Sequence, residues 1–119
     1  MWRNFSIQKS RFNKIAKKKG SSVKTILTKS AEKFVTPLSV VSLSQEKIYT
    51  DIFDYNNEAE MDHISLSRWA DIVLIVPATA NTIAKLSNGI ADDLATTVVL
   101  ASNKKIFLAP AMNVRMWEH

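Results

Sequence analysis

Three short segments of the sequence combine hydroxyl or amide side chains with small residues, namely TKSA, PATANT and PAMN. Each segment follows an apolar stretch and opens a predicted helix, so that backbone N–H groups could face an anionic or polar ligand. The chemistry that these groups favour is the binding of a ligand through hydrogen bonds. The polar side chains expected near that ligand are Thr28, Ser30, Thr79, Asn81, Thr82 and Asn113.

The elements that must position these residues are strands that alternate with helices. Strands are predicted over SSVKTILT, DIVLIVP (71–77) and KKIFLAP (104–110), with a brief extended segment at 47–50. The unbroken apolar runs predict strands that are buried on both faces, as in a parallel sheet. Helices are predicted over 11–19, 29–35, 37–44, 64–70, 79–89 and 92–102, with a short one after Asn113, and a surface loop over 51–62. This order is typical of a doubly wound α/β sheet, whose ligands lie beyond the carboxyl ends of the strands.

Composition narrows the range of functions. A chain of 119 residues is one domain at most, and no apolar run reaches the roughly 18 residues of a membrane helix. The absence of cysteine excludes thiolate metal sites and a cysteine nucleophile, and the two histidines lack the spacing of metal ligands. Residues 1–33 carry ten Lys and Arg against the single acid Glu32. This block could bind nucleic acid, but the lack of interleaved aromatic residues favours a solvated helix face.

The stretch HISLSRWADIVLIVPATANTIAKLSNGIADDLATTVVLAS, followed by FLAPAMNVRMW, closely resembles the phosphopantothenoylcysteine decarboxylases, a family of flavoproteins. The family motif PxMNxxMW is present as Pro110, Met112, Asn113, Met116 and Trp117, and the family histidine is matched by His63. The resemblance extends upstream through TKSAEKFVTPLS and covers roughly residues 12–119.

This resemblance implies a Rossmann-like (flavodoxin-like) three-layer α/β sandwich with a parallel sheet that binds FMN. It implies decarboxylation of 4′-phosphopantothenoylcysteine towards 4′-phosphopantetheine in coenzyme A biosynthesis. His63 would be the base, because an imidazole ordinarily titrates near neutral pH, and Asn113 would hold the substrate carboxylate through its amide N–H groups. The residues expected to contact FMN are Thr28, Lys29, Ser30, Phe34, Thr79, Ala80, Asn81, Thr82 and Ala111.

Simpler roles remain open for several of these residues. His63 could be a histidine at a helix start, and Asn113, Thr79 and Asn81 could be helix caps. Asp92 and Asp93 are interpreted as helix-start acids near a positive helix end. Met112 and Met116 are interpreted as packing residues, and Trp69 and Trp117 as core or subunit-contact aromatics.

The sequence also departs from the family pattern at both ends. The family begins with a strand and a glycine-containing loop that receives the flavin phosphate, whereas this chain has no glycine before Gly20. The family continues beyond the PxMNxxMW motif with a substrate clamp that carries the cysteine of the reductive step. We therefore expect a single flavoprotein-like domain over 1–119, with a divergent N-terminus at 1–11, no substrate clamp, and a fold that is incomplete at both ends. Oxidative decarboxylation could survive such a truncation, whereas the reduction should not.

Three hypotheses follow for the function of this chain. The first is an FMN-dependent decarboxylase, cytoplasmic and homo-oligomeric (a trimer or a trimer-based shell), acting on a small molecule without nucleic acid, membrane or metal. The second is a non-catalytic flavin-binding or partner subunit of a flavoprotein oligomer. The third is a basic protein that uses residues 1–33 to bind RNA or an anionic surface.

Overall fold

The computed structural model describes residues 18–44, 48–50 and 58–119, which fall into two units, Met1–Asp51 and Ile52–His119. The described elements of the first unit are β1 (Thr25–Leu27), α1 (Lys29–Glu32), α2 (Pro37–Ser44) and β2 (Ile48–Thr50). Strands β1 and β2 pair in parallel, with Thr25 opposite Ile48. The fully buried Leu27 and the buried Val40 of α2 are apolar core residues of this unit.

Helix α2 begins where the sequence predicts it to begin. Pro37 occupies the first helical position, where its missing N–H costs nothing, and the Thr36 hydroxyl accepts a hydrogen bond from the Ser39 N–H at 3.1 Å. The predicted helix over 11–19 lies outside the described residues except for its last two. Gly20, the residue predicted to end that helix, has a φ of +81°, which glycine adopts without strain.

The second unit contains two parallel strands joined by a helical crossover. Its described elements are α3 (Glu58–Trp69), β3 (Ile72–Ala78), α4 (Ala80–Ser87), α5 (Leu94–Ala101), β4 (Lys105–Pro110) and α6 (Val114–Glu118). Strand β3 pairs with β4 in parallel from Ile72 opposite Lys105, with an irregularity between Ile75 and Ala78. Helices α3 and α4 both pack against α5. The predicted α/β class with parallel strands is confirmed.

The predicted loop over 51–62 is wrong for its last five residues. Residues 51–57 lie outside the described residues, but 58–62 form the first part of α3, which therefore starts six residues before the predicted helix. The segment EAEM consists of strong helix formers, and its acidic character hid that propensity. As a result, His63 lies inside a helix rather than at its start.

The strands of the second unit are more exposed than their apolar sequences predict. Ile72 is 58% exposed on β3 and Phe107 is 50% exposed on β4. The prediction that both strands are buried on both faces is therefore wrong for this chain. The physical reason is that the helices of this unit pack mainly against one another, so that the strand side chains have few helical partners. No helix in the described part of the chain is long and apolar enough to span a bilayer.

A capping box fixes the start of α5. The Asp93 carboxylate accepts hydrogen bonds from the Thr96 N–H at 2.7 Å and from the Thr96 hydroxyl at 2.6 Å. The Thr97 hydroxyl donates to the Asp93 carbonyl at 2.6 Å. The neighbouring Asp92 instead forms an exposed ion pair with Lys85 at 2.9 Å. Asp93 is thus the helix-start acid that the sequence predicts, whereas Asp92 links the segment before α5 to α4.

We expect Asp93→Ala to lower the free energy of unfolding by about 1–2 kcal/mol, because the Thr96 N–H loses its acceptor. Asp92→Ala makes the same chemical change one residue earlier and should cost about 0–1 kcal/mol, since exposed ion pairs contribute little. Urea unfolding followed by circular dichroism checks both values. Equal losses in the two variants would show that the capping box does not stabilise α5 in solution.

Candidate functional site

The ends of β3 and β4 bring two of the polar segments together. Ala78 lies opposite Pro110 in the strand register, and the Ala111 N–H donates a hydrogen bond to the Ala78 carbonyl at 3.0 Å. The residues that follow each strand therefore leave the sheet side by side. This arrangement confirms that PATANT and PAMN lie together at the carboxyl edge of a parallel pair of strands.

Helix α4 starts directly after β3 and is capped by Thr79. The Thr79 hydroxyl oxygen accepts a hydrogen bond from the Thr82 N–H at 3.2 Å, and the two threonine hydroxyls lie 3.1 Å apart. The cap role of Thr79 is confirmed, whereas Asn81 lies in the first turn and is not the cap. Among the described residues, the N–H groups of Ala80 and Asn81 have no acceptor. The start of α4 therefore presents free backbone donors beside two hydroxyls.

Asn113 caps α6 with only one end of its amide. The side-chain oxygen accepts a hydrogen bond from the Met116 N–H at 2.9 Å, which confirms the cap role. This bond fixes which end of the amide is used, because only the oxygen can accept. Within the described part of the chain, the amide nitrogen has no acceptor. Asn113 can therefore cap the helix and donate to a ligand at the same time.

An open depression of about 390 Å³ lies at this edge of the second unit. Its lining brings together two of the predicted site residues, Ala80 and Asn113. Three further lining residues were not predicted as site residues: Arg115, Met116 and His119. The sequence could have indicated these three residues through their position, because they lie in or directly after the short helix that begins after Asn113. Met116, interpreted from sequence as a packing residue, is exposed.

His63 occupies a different position from these residues. Its imidazole is half-buried on α3, and the helical spacing places it on the same side as the buried Leu66 and Ser67. His63 is not among the residues that line the depression. The aromatic residues also differ from expectation, because Trp69 and Trp117 are exposed and a core role for them is wrong.

The predicted site residues of the first unit lie around α1. The Thr28 hydroxyl caps this helix by accepting a hydrogen bond from the Ala31 N–H at 3.2 Å. Lys29 and Ser30 are exposed in its first turn, and the Phe34 ring just after it is 83% exposed. Polar groups and an exposed aromatic ring thus follow β1. In the described ranges, no group of three or more histidine, aspartate or glutamate side chains is placed to hold a metal ion.

The sequence profile of the flavoprotein family matches residues 11–119. The chain belongs to the flavoprotein family. This assignment confirms the resemblance based on His63 and the PATANT and PxMNxxMW segments.

Curated relatives of this flavoprotein include the coenzyme A biosynthesis bifunctional proteins CoaBC. The protein from Bacillus subtilis (strain 168) is 49% identical over 100 residues, which cover 84% of this chain and 25% of that protein. The protein from Escherichia coli (strain K12) is 39% identical over 99 residues, covering 83% of this chain and 24% of that protein. The flavoprotein chain therefore spans about a quarter of the length of these relatives.

Solved structures agree with the family assignment and with a Rossmann-like fold. The FMN-dependent cysteine decarboxylase SpaF matches with a TM-score of 0.83 and 31% identity, covering 96% of this chain and 66% of that one. A PPC decarboxylase mutant complexed with pantothenoylaminoethenethiol matches with a TM-score of 0.75 and 32% identity, covering 92% and 64%. The peptidyl-cysteine decarboxylase EpiD matches with a TM-score of 0.77 and 32% identity, covering 95% and 66%.

Proposed function

We propose that this flavoprotein carries the site for FMN-dependent decarboxylation of 4′-phosphopantothenoylcysteine, a step of coenzyme A biosynthesis. The similarity to CoaBC proteins supports the substrate, and the similarity to FMN-dependent cysteine decarboxylases supports the reaction. The observation that carries the proposal is Asn113, whose amide nitrogen has no acceptor in the described structure and which lines the depression beside Ala80. An amide donor at that position suits a carboxylate that is to leave as carbon dioxide.

The donor groups at the start of α4 fit a flavin. The unpaired N–H groups of Ala80 and Asn81 and the hydroxyls of Thr79 and Thr82 match the polar edge and ribityl chain of FMN, which present oxygen and nitrogen atoms. We assign Ala111 to the same cofactor, because its N–H bond to Ala78 holds it beside this turn. On the family resemblance alone, we also assign Thr28, Lys29, Ser30 and Phe34 to FMN binding.

Each residue then has a defined part in the reaction. Bound FMN would supply the two-electron oxidation of the cysteinyl end of the substrate that precedes the loss of carbon dioxide. On the family resemblance alone, we assign to an imidazole nitrogen of His63, which lies on α3 and does not line the depression, the acceptance of a proton from the substrate. The Asn113 amide nitrogen donates to the substrate carboxylate and holds it while the carbon–carbon bond breaks.

The experiment that tests this function has two measurements on the same purified protein. FMN titration, followed by the change in flavin absorbance and fluorescence, measures cofactor binding. Release of labelled carbon dioxide from carboxyl-labelled phosphopantothenoylcysteine measures the reaction. Flavin binding together with release supports the decarboxylase. Absence of both, with the protein folded by circular dichroism, would disprove it.

Exposed apolar side chains favour a second candidate, a flavin-binding partner subunit in a larger flavoprotein assembly. Ile72, Phe107 and Trp117 are exposed in this chain. Large exposed apolar patches mark protein–protein contact sites. We propose a homo-oligomer, a trimer or a trimer-based shell, as the working form. FMN binding without carbon dioxide release would favour the partner subunit over the decarboxylase.

We expect Thr82→Val to weaken FMN binding about 3- to 10-fold, because one hydroxyl hydrogen bond is lost. Valine has nearly the same shape as threonine, and the Thr82 N–H that bonds to Thr79 is retained. FMN titration measures the change, and urea unfolding of the apoprotein checks that the helix start is intact. Thr97→Val removes a hydroxyl that bonds to the Asp93 carbonyl in α5 and serves as the control. Unchanged FMN affinity in Thr82→Val would remove Thr82 from the cofactor site.

A further inference from the structure

Two basic side chains line the depression that contains Asn113. Arg115 lies in α6, two residues after Asn113, and His119 follows that helix, while Ala80 and Met116 supply apolar surface. Asn113, which we assign to the substrate carboxylate, is a neutral amide. The binding of the carboxylate by Asn113 therefore gives no role to the positive charge of Arg115 in the same depression.

Arg115 has no carboxylate partner in the described parts of the chain. No acidic oxygen there lies within the 4.0 Å of an ion pair with its guanidinium, although Glu118 follows it by three residues on the same short helix. Lys85 shows the contrast, because it is paired with Asp92 at 2.9 Å. The guanidinium of Arg115 is thus charged, exposed and available at the edge of the depression.

A guanidinium in this state favours one class of ligand. Its planar fork donates two parallel hydrogen bonds to a carboxylate or a phosphate, which a point charge such as an ammonium cannot match. The neutral Asn113 amide can orient an anion but adds no charge to attract it. A cationic fork and an amide donor in one depression therefore suit an anionic substrate better than either group alone.

We propose that Arg115 is a specificity-determining residue that pairs its guanidinium with an anionic oxygen group of the substrate. This inference rests on the proposed function and assigns it a second binding residue beside Asn113. The substrate class has two such groups, the carboxylate that leaves as carbon dioxide and the terminal phosphate. The carboxylate has two coplanar oxygens and the phosphate has tetrahedral oxygens. A guanidinium can donate two hydrogen bonds to either group.

The test measures substrate binding separately from turnover. Phosphopantothenoylcysteine and its unphosphorylated form, pantothenoylcysteine, are titrated by calorimetry into the FMN-loaded protein carrying His63→Asn, in which turnover is expected to be about 10²- to 10⁴-fold slower. Arg115→Gln removes the charge with little change in length, and Arg115→Lys keeps the charge without the fork. Arg68→Gln makes the same charge change at an exposed site on α3 outside the depression and is the control.

We expect Arg115→Gln to raise the dissociation constant of phosphopantothenoylcysteine by about 10-fold, Arg115→Lys to lose less, and Arg68→Gln to change it by less than about twofold. If Arg115 binds the phosphate, pantothenoylcysteine binding is the same in the parent and in Arg115→Gln. If it binds the carboxylate, both compounds lose affinity equally. In the protein with an intact His63, the corresponding change is in KM rather than kcat, and the FMN dissociation constant stays constant.

Unchanged binding of both compounds in Arg115→Gln would overturn the proposal, as would an equal loss in Arg68→Gln or a parallel loss of FMN affinity. A parent protein that binds neither compound would overturn it as well. The proposed function fails separately. If the protein with an intact His63 binds the substrate and releases no carbon dioxide, the decarboxylase is disproved while the role of Arg115 in binding stands on its own measurement.

Discussion

Replacing His63 by asparagine is expected to reduce carbon dioxide release by about 10²- to 10⁴-fold, the range that a general base contributes. FMN affinity is expected to stay within about twofold of the parent, because none of the donor groups at the start of α4 is altered. Of the changes considered for this chain, this one has the largest expected effect on turnover. A loss of turnover without a loss of FMN affinity would distinguish a role of His63 in proton transfer from a role in supporting the fold.

The position of His63 makes asparagine a suitable replacement. The imidazole is half-buried on α3, on the side that carries the buried Leu66 and Ser67. Asparagine is polar, is similar in size to the first part of the imidazole, and has nearly the same helix propensity as histidine. It cannot accept a proton at neutral pH, so that only the proposed acid–base role is removed. We therefore expect α3 and its packing against α5 to persist.

The measurement compares carbon dioxide release with FMN titration in the same preparation. Ser65→Asn places an asparagine on α3 at an exposed position two residues later and controls for its presence in this helix. If His63→Asn retains full turnover, His63 is not the base. If it loses FMN binding together with turnover, His63 has a structural role in α3.

The sequence predicted the part of the site that depends on strand ends. The apolar runs at 71–77 and 104–110 each form one strand, and parallel pairing brings their carboxyl ends to the same edge. The polar segments PATANT and PAMN therefore meet, as the hydrogen bond between Ala111 and Ala78 shows. This prediction succeeds because it needs only the direction of the strands and the order of residues along them.

Other features depend on which surfaces pack against one another, and a sequence pattern does not show this. The apolar residues of β3 and β4 were predicted as strand residues, but their exposure depends on which surfaces cover them. The early start of α3 was missed because acidic helix formers in EAEM resemble a polar loop in composition. Arg115 and His119 were missed because α6 is too short for a helical periodicity that would show which side faces the depression.

Changing Asn113 to aspartate is expected to weaken substrate binding by at least about 100-fold, while leaving the stability of the protein nearly unchanged. Aspartate is as good an N-cap as asparagine, so that the Met116 N–H retains its acceptor. The amide donor that we propose to face the substrate carboxylate is lost, and hydrogen bonds to charged groups contribute about 1.5–3 kcal/mol. A carboxylate in its place also repels the substrate carboxylate, by about 1–4 kcal/mol at 4 Å.

Two further variants separate the cap from the ligand contact. Asn113→Ser keeps a capping oxygen without the amide nitrogen, and Asn113→Ala removes both. The free energy of unfolding should be similar for asparagine, aspartate and serine, and lower by about 0.5–2 kcal/mol for alanine. Substrate affinity should instead fall from asparagine to serine to aspartate, since serine removes the amide donor and aspartate adds a repelling charge.

The orders of substrate affinity and of stability cannot both arise if Asn113 is only a cap. If it only fixed the start of α6, substrate affinity would fall in the same order as the free energy of unfolding. Calorimetric titration of phosphopantothenoylcysteine in the His63→Asn background gives the affinities, and urea unfolding gives the stabilities. The capping bond from the Met116 N–H to the Asn113 oxygen leaves the amide nitrogen as the donor, so aspartate must lose what asparagine supplies. If Asn113→Asp binds the substrate as tightly as the parent, Asn113 serves α6 only, and the carboxylate is held by another residue.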